Sequence, residues 1–242
     1  MKENRFVAPV MILTLGIIIS AVILAMTWRQ NSKMSQTITV TGSAKKEIVS
    51  DLGFLRGTLT ARASTAGAAY NDLISQKPVL LDFLKTKGIQ PDKISFFTIT
   101  NYAVYEISST GMQTQNIVGQ VFSQRFEINS NDVNKIKQIS LEISELVNKG
   151  VDLMVEMPEY HYSKMADLKI EIQAEAARDA MKRAEKIASS TDRDLGPLRT
   201  ARMGVIQITP RFSNMISDYG INDLSSIEKE ITAVVNASFE ID

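Results

Sequence analysis

The sequence predicts an α+β body behind an N-terminal transmembrane helix, on three observations. Residues 6–28 form an uncharged apolar run, several later stretches alternate apolar and polar residues, and three others repeat apolar residues at helical spacing. The chain has 242 residues, with 27 Lys and Arg against 27 Asp and Glu, one His and no Cys. Setting aside residues 1–33 removes Lys2, Arg5, Arg29, Lys33 and Glu3, and leaves 209 residues with a net charge of −3. That mild acidity argues against a nucleic-acid binder, which carries a basic face. Without cysteine there is no disulfide, thiolate zinc site, iron–sulfur cluster or cysteine nucleophile. The aliphatic content suffices for one sizeable core or two small ones and excludes wholesale disorder.

The run at 6–28 has only Thr14, Ser20 and Thr27 as hydroxyls. At about 1.5 Å per residue it can cross a hydrocarbon layer of roughly 30 Å. Lys2 and Arg5 flank one side, Arg29 and Lys33 the other, and Trp28 stands where an interfacial aromatic is expected. A cleaved signal peptide has a shorter apolar region and a small-x-small site. The nearest candidate, Ile23-Leu24-Ala25, is a poor one, so an uncleaved anchor is predicted. The expected organisation is a cytoplasmic flank at 1–5, a signal anchor at 6–28, a linker at 29–36 and one α+β domain at 37–242. Basic residues on both sides weaken the positive-inside vote, but a five-residue flank is readily retained in the cytoplasm. The expected location is a single-pass anchor in the cytoplasmic membrane, with residues 34–242 outside it.

Within the body, Ile38 and Val40 share a face of a strand at 37–41, and Leu55, Leu59 and Ala61 share one at 53–61, opposite Arg56, Thr58, Thr60 and Arg62. A helix follows at 64–87, through Ala66, Ala69, Tyr70, Leu73, Leu80, Leu81 and Leu84. Pro78 should kink or split it, and Gly88 should cap it in the left-handed region. Strands are expected at 94–105 and 118–128, the second with Val118, Phe122, Phe126 and Ile128 inward, separated by polar residues 106–117. A second helix at 131–149 uses Val133, Ile136, Ile139, Ile143, Leu146 and Val147, ends at Gly150, and leads into a strand at 151–157. The matching exits Lys87-Gly88-Ile89 and Lys149-Gly150-Val151 predict an internal helix–strand duplication. The third helix, 163–190, should be capped by Ser163 and present Ala166, Ile170, Ala177, Ala180, Ala184 and Ile187 as a narrow small-residue face. Glu175 with Arg178, and Asp179 with Arg183, are placed to pair on its exposed side. A strand at 202–209, an irregular stretch at 210–229 and a closing strand at 231–241 complete the chain. Ile231, Ala233, Val235, Ala237, Phe239 and Ile241 point one way in that last strand.

Three stretches resemble the SIMPL-domain family of bacterial envelope proteins: Thr37-Ile-Thr-Val-Thr-Gly42; Ala66-Gly-Ala-Ala-Tyr70 with Leu84-Lys-Thr-Lys-Gly-Ile89 and Pro91-Asp-Lys-Ile94; and Ala174-Glu-Ala-Ala-Arg-Asp-Ala180 with Arg183-Ala-Glu-Lys-Ile-Ala188 and Leu195-Gly196. With the closing strand, the resemblance covers residues 36–242. Ser50-Asp51 stands where the family often has Pro-Asp, and residues 225–230 lack the family's Pro-Gly. The resemblance implies a periplasmic or envelope protein of undefined activity, in a family whose members are linked to stress tolerance or known as surface antigens and in part assemble into rings.

His161, the only histidine, lies in Glu159-Tyr-His-Tyr-Ser163. As a proton carrier or metal ligand beside Glu159 it lacks further His or Cys partners, because a catalytic metal site needs three protein ligands. The expected role is a strand-end residue whose aromatic neighbours pack on opposite faces. The 11 methionines invite a redox-buffer role, but Met154, Met157 and Met181 fall at regular elements, where gap-filling is expected. No nucleophile elbow, phosphate loop or dinucleotide fingerprint is present. The sequence therefore predicts no catalytic, cofactor-binding or metal site, no cofactor and no enzyme activity. Interaction is favoured by the third helix and by residues 210–229, where Phe212, Met215, Ile216, Tyr219, Ile221 and Leu224 stand among polar residues and cover either the core or a partner. The expected role is a self-associating module, a homo-oligomer at the membrane through residues 6–28 with a further envelope protein as partner. A small-molecule or lipid binder comes second and an enzyme last.

Overall fold

The computed structural model describes residues 7–33 and 36–241, without the side chains of 7–9 and 29–33. The flank at 1–5 and the charges of Lys2, Arg5, Arg29 and Lys33 therefore lie outside the described residues. Helix α1 (Val7–Lys33) contains the window Val10–Trp28, with mean hydropathy 2.6. The Thr14 hydroxyl bonds the Val10 carbonyl at 3.0 Å and that of Thr27 bonds Ile23 at 2.8 Å. Both hydroxyls thus spend their hydrogen bonds on their own helix. The helix is long and apolar enough to cross a membrane or to serve as a signal sequence.

The body is α+β, with two five-stranded sheets, and divides into two compact units. The first takes the chain up to Lys45, Asp167–Ile206 and the chain from Thr232. It contains the start of β1 (Thr37–Val49), nearly all of α4 (Met165–Ser190), β7 (Leu195–Met203) and most of β10 (Glu228–Ile241). β10 pairs with β1 and, antiparallel, with β7. Ala233, Val235, Ala237 and Phe239 are buried, as the alternation predicts. The predicted face of α4 holds at Ala180 and Ala184 and is out of phase elsewhere. Ile170 and Ile187 are exposed (69% and 48%), and the buried row is Leu168, Ile172, Ala176, Ala180, Ala184 and Ala188. An unbroken four-residue row is one of the natural ridges of a helix, and its small side chains let Gly42 of β1 reach the helix backbone. A methyl on Gly42 would strike the Ala176 carbonyl and the Ala180 amide. Beside that contact the Asp179 carboxylate accepts from the Ser43 amide at 2.8 Å and from Arg183 Nε at 2.8 Å. Arg178 turns its Nε to the Ala174 carbonyl instead of making the predicted pair with Glu175 its recorded bond.

The second unit comprises Lys46–Ala166 and Gln207–Ile231. Its main sheet runs β3-β4-β2-β5, with β6 also on β2: β2 (Leu52–Ala63), β3 (Ile94–Ile107), β4 (Gln113–Ser130), β5 (Leu153–Val155) and β6 (Glu159–His161). Helices α2 (Ala66–Thr86) and α3 (Val133–Glu142) supply the core against it, with Leu73, Leu80, Leu84, Ile136 and Ile139 packed around Leu55, Leu59, Phe126 and Ile128. Full burial of each such side chain stabilises by about 1.5–3 kcal/mol. Thr65 and Asp132 cap the two helices by accepting from the Ala68 and Lys135 amides. Pro78 does not split α2; the one lost backbone bond is absorbed in a 21-residue helix held by its buried leucines. After α3 the chain tightens into three-residue turns at Ile143–Lys149, so Ile143 and Leu146 eclipse on the buried side while Val147 turns out, 56% exposed.

The two helix exits have the same closure. Gly88 and Gly150 adopt φ of 73° and 81°, and the amides of Ile89 and Val151 reach back to Leu84 and Leu146 at 3.0 and 3.1 Å. The strands beyond differ, since β3 runs 14 residues along β4 whereas β5 meets β2 at three positions. β3 and β4 are longer than their alternation predicts, and the turn between them is only 108–112, with Gly111 at φ 81°. Val118 is 46% exposed instead of buried. Nearer the core β3 bulges between Phe96 and Ile99, where buried Gln124 donates to the Phe97 carbonyl at 2.7 Å. The strand predicted at 202–209 is two strands, β7 and β8 (Gln207–Pro210). β8 pairs in parallel with β9 (Ile221–Asn222), which lies inside the stretch expected to be irregular.

Candidate functional site

Alternation in β2 turns Leu55 and Leu59 to the helices and Phe54 and Arg56 to the opposite face of the sheet. Register does the rest: Arg56 lies across from Glu127 of β4, Phe54 from Glu159 of β6, and Leu52 from His161. Arg56 Nε is 2.7 Å from a Glu127 oxygen and Nη1 is 2.7 Å from Glu159. The other Glu159 oxygen is 3.3 Å from His161 Nε2, and the imidazole meets the Phe54 ring edge-on at 5.2 Å. The hydrogen bond from Arg56 holds the Glu159 carboxyl below its ordinary range, against burial and with help from His161. Glu127, then Glu159, push Arg56 further up. The cluster ties the short strand β6 to β2 and β4. Among the described residues no nucleophile bonds His161 and no group of three His, Cys, Asp or Glu is arranged for a metal. The sequence alone points to Glu159 and His161 but not to Arg56 as the partner of Glu159, nor to Glu127 as the second carboxylate on Arg56. The alternation of β2 put Arg56 on the polar face, while the pairing that brings Glu127 to it spans 71 residues.

Tyr160, on the other face of β6, is buried, and its carbonyl accepts from Lys229 Nζ at 2.6 Å. Lys229 is only 2% exposed and also donates to the Asp223 carbonyl. Burial lowers its pKa and the Asp223 charge partly offsets this. Burial would raise the Asp223 carboxyl, but bonds from the Ser225 hydroxyl and amide and from Ser226 bring it below its ordinary value. Asp51 behaves alike: burial is outweighed by the Ser163 hydroxyl and amide, at 2.6 and 2.7 Å. Ser163 is not the residue that precedes α4, because the helix begins at Met165, and its hydroxyl is directed to Asp51.

The stretch 210–229 therefore divides. Residues 221–227 are pinned by Lys229 and Asp223, and Ile227 packs on the core. Phe212, Met215, Ile216 and Tyr219 stand 81%, 65%, 84% and 97% exposed and cover nothing. Beside the pinned part opens an apolar groove of about 430 Å³, walled by Leu141, Met157, Pro158, Tyr160 and Ile227 together with Lys137 and three serines. Met154, Met157 and Met181 are exposed instead of filling gaps; alternation in β5 turns Met154 away from the core face of Leu153 and Val155, and Met157 lies beyond the strand.

The relatives of this chain name no chemistry for these features. The SIMPL family model, described as a protein of unknown function (DUF541), matches residues 38–239. The uncharacterized protein YggE of Edwardsiella ictaluri (strain 93-146) is 24% identical over 176 residues, which cover 72% of this chain and 70% of that protein. A solved chain from methicillin-resistant Staphylococcus aureus, to which an aminohydrolase role has been ascribed, is 12% identical. The match covers 79% of this chain and 40% of that one, and its TM-score of 0.24 carries no structural argument. On the family match, which takes in both units of the body, the chain belongs to the SIMPL family.

Proposed function

We propose that this SIMPL protein is a self-associating structural or interaction module of the bacterial envelope. In this reading α1 anchors it in the inner membrane, residues 34–242 face outward, and its role is in stress tolerance. One observation carries self-association: the outer part of the β3–β4 hairpin exposes Tyr102 and Ile107 on the edge strand β3, with Met112 in the turn and Ile117 and Val118 on the adjoining β4. Natural edges are blunted by Lys, Pro or bulges; residues 99–107 hold a single charge, Glu106, and neither Lys nor Pro, and only the register shifts at Val104/Tyr105 and Tyr105/Ile107 interrupt them. Tethering to a bilayer raises local concentration, so weak contacts between bodies become significant. The test is the mass of the full chain in detergent micelles across a concentration series, with cross-linking in membranes. A discrete oligomer in both supports the reading, and a monomer in both removes it.

The groove of about 430 Å³ supports a second reading, a small-molecule or lipid binder. Saturable uptake of a fluorescent fatty acid, lost in Leu141→Asp, would favour it. An enzyme of unknown chemistry ranks third.

A further inference from the structure

The second unit carries an apolar projection and an apolar recess whose chemistries match. The projection is the turn at 211–220, with Phe212, Met215, Ile216 and Tyr219 exposed. Its shape is held from within. Arg211 bonds Glu47 and Glu228 at 3.0 and 3.3 Å and lies 4.6 Å from the Phe212 ring. Gln207 donates to the Ser217 carbonyl at 2.7 Å, and the Ser213 and Ser217 hydroxyls accept from the Met215 and Tyr219 amides. A tip already ordered loses little entropy when it docks. Large exposed apolar groups gathered at one place are the usual mark of a contact surface.

The recess is the groove beside β6, where Leu141 and Met157 remain 75% and 76% exposed. Its volume admits more than one large side chain. Charge agrees as well. The tip carries Asp218 between Ile216 and Tyr219, and its one cation, Arg211, is neutralised by two glutamates. The groove is lined by Lys137 and by no carboxylate.

We propose that the tip of one copy inserts into the groove of a second copy, with Ile216 and Tyr219 in the recess and Asp218 facing Lys137. Tip and groove are different surfaces, so the contact is head-to-tail, and each copy keeps one free end for the next. The proposal rests on the reading that copies associate and locates the contact at the tip and groove; association through the β3–β4 edge instead is an outcome that overturns it.

The test uses the full chain in detergent micelles, with protein mass from light scattering. Ile216→Asp blunts the tip and Leu141→Asp spoils the groove. Both positions are exposed (84% and 75%), and unchanged melting by circular dichroism confirms folding. Each variant alone should associate about tenfold more weakly or worse. An equimolar mixture of the two should recover a one-to-one dimer and nothing larger, because only one intact tip–groove pair remains. Exchanging the charges in Asp218→Lys with Lys137→Asp should restore what either change alone weakens. Variants that keep the wild-type mass, or that stay monomeric when mixed, overturn the proposal while self-association through another surface stands. A monomeric wild type removes the self-association reading itself.

Discussion

Helix α4 of the first unit and helices α2 and α3 of the second solve the same packing problem in opposite ways. α4 lays Ala176, Ala180, Ala184 and Ala188 inward, and β1 answers with Gly42, so backbone meets backbone. α2 and α3 bring leucines and isoleucines against Phe126 and Ile128, so side chains interdigitate. The first arrangement buries little apolar area per residue and has no room for an added atom. The second gains its stability from area and loses by deletion. The two units should therefore fail in different directions.

The largest expected effect is Leu80→Ala. Leu80 is fully buried in the second unit, and its truncation should cost about 3–4 kcal/mol, read by denaturant unfolding, with faster hydrogen exchange in α2 and α3. A loss below about 1 kcal/mol would mean that the core collapses onto the gap, and the contrast with α4 would disappear. Next is Gly42→Ala, where one added methyl meets two backbone atoms of α4. It should cost about 2–3 kcal/mol and accelerate exchange in α4. A neutral result would show that β1 and α4 slide apart freely and that the close approach contributes nothing.

The smallest effect concerns the open face of β2. Glu159 has its folded pKa lowered by Arg56, so its contribution is present above the ordinary Glu range and is lost as pH falls through the lowered folded value. About a third of the side chain is exposed, so solvent screening limits that contribution to about 0.5 kcal/mol. Glu159→Gln should cost that much at pH 7, and the gap to wild type should close on acidification below about pH 4. A pH-independent gap would assign the loss to packing instead of charge.

The same contrast explains what was legible in the sequence. Large apolar side chains announce their face, so Leu73, Leu80, Leu84, Ile136 and Ile139 were readable one by one. Alanines say less, being small enough to stand on either face; Ala180 and Ala184 are placed correctly, but Ile170 draws the rest of the predicted row away from Ile172, Ala176 and Ala188. Gly88 and Gly150 were readable because a left-handed exit asks for glycine and little else. The bond from Arg56 to Glu127 was not, because strand register over 71 residues is set by tertiary pairing that no local period encodes. The stretch at 210–229 was correctly singled out, but only the buried ammonium of Lys229 reveals where its pinned part begins.

The order of the units along the chain bears on the time course of folding. Most of the second unit is the continuous run Lys46–Ala166, whereas the first is assembled from three separated pieces, with Thr39 of β1 bonded to Ser238 of β10, 199 positions away. Contacts so distant close late, because loop entropy must be overcome before they stabilise anything. A chain emerging in sequence order would hold a nearly complete second unit while β1 still waited, unpaired, for β10. During that interval the first strand of the body is an open edge close to α1, where a holding factor or a neighbouring chain would find it.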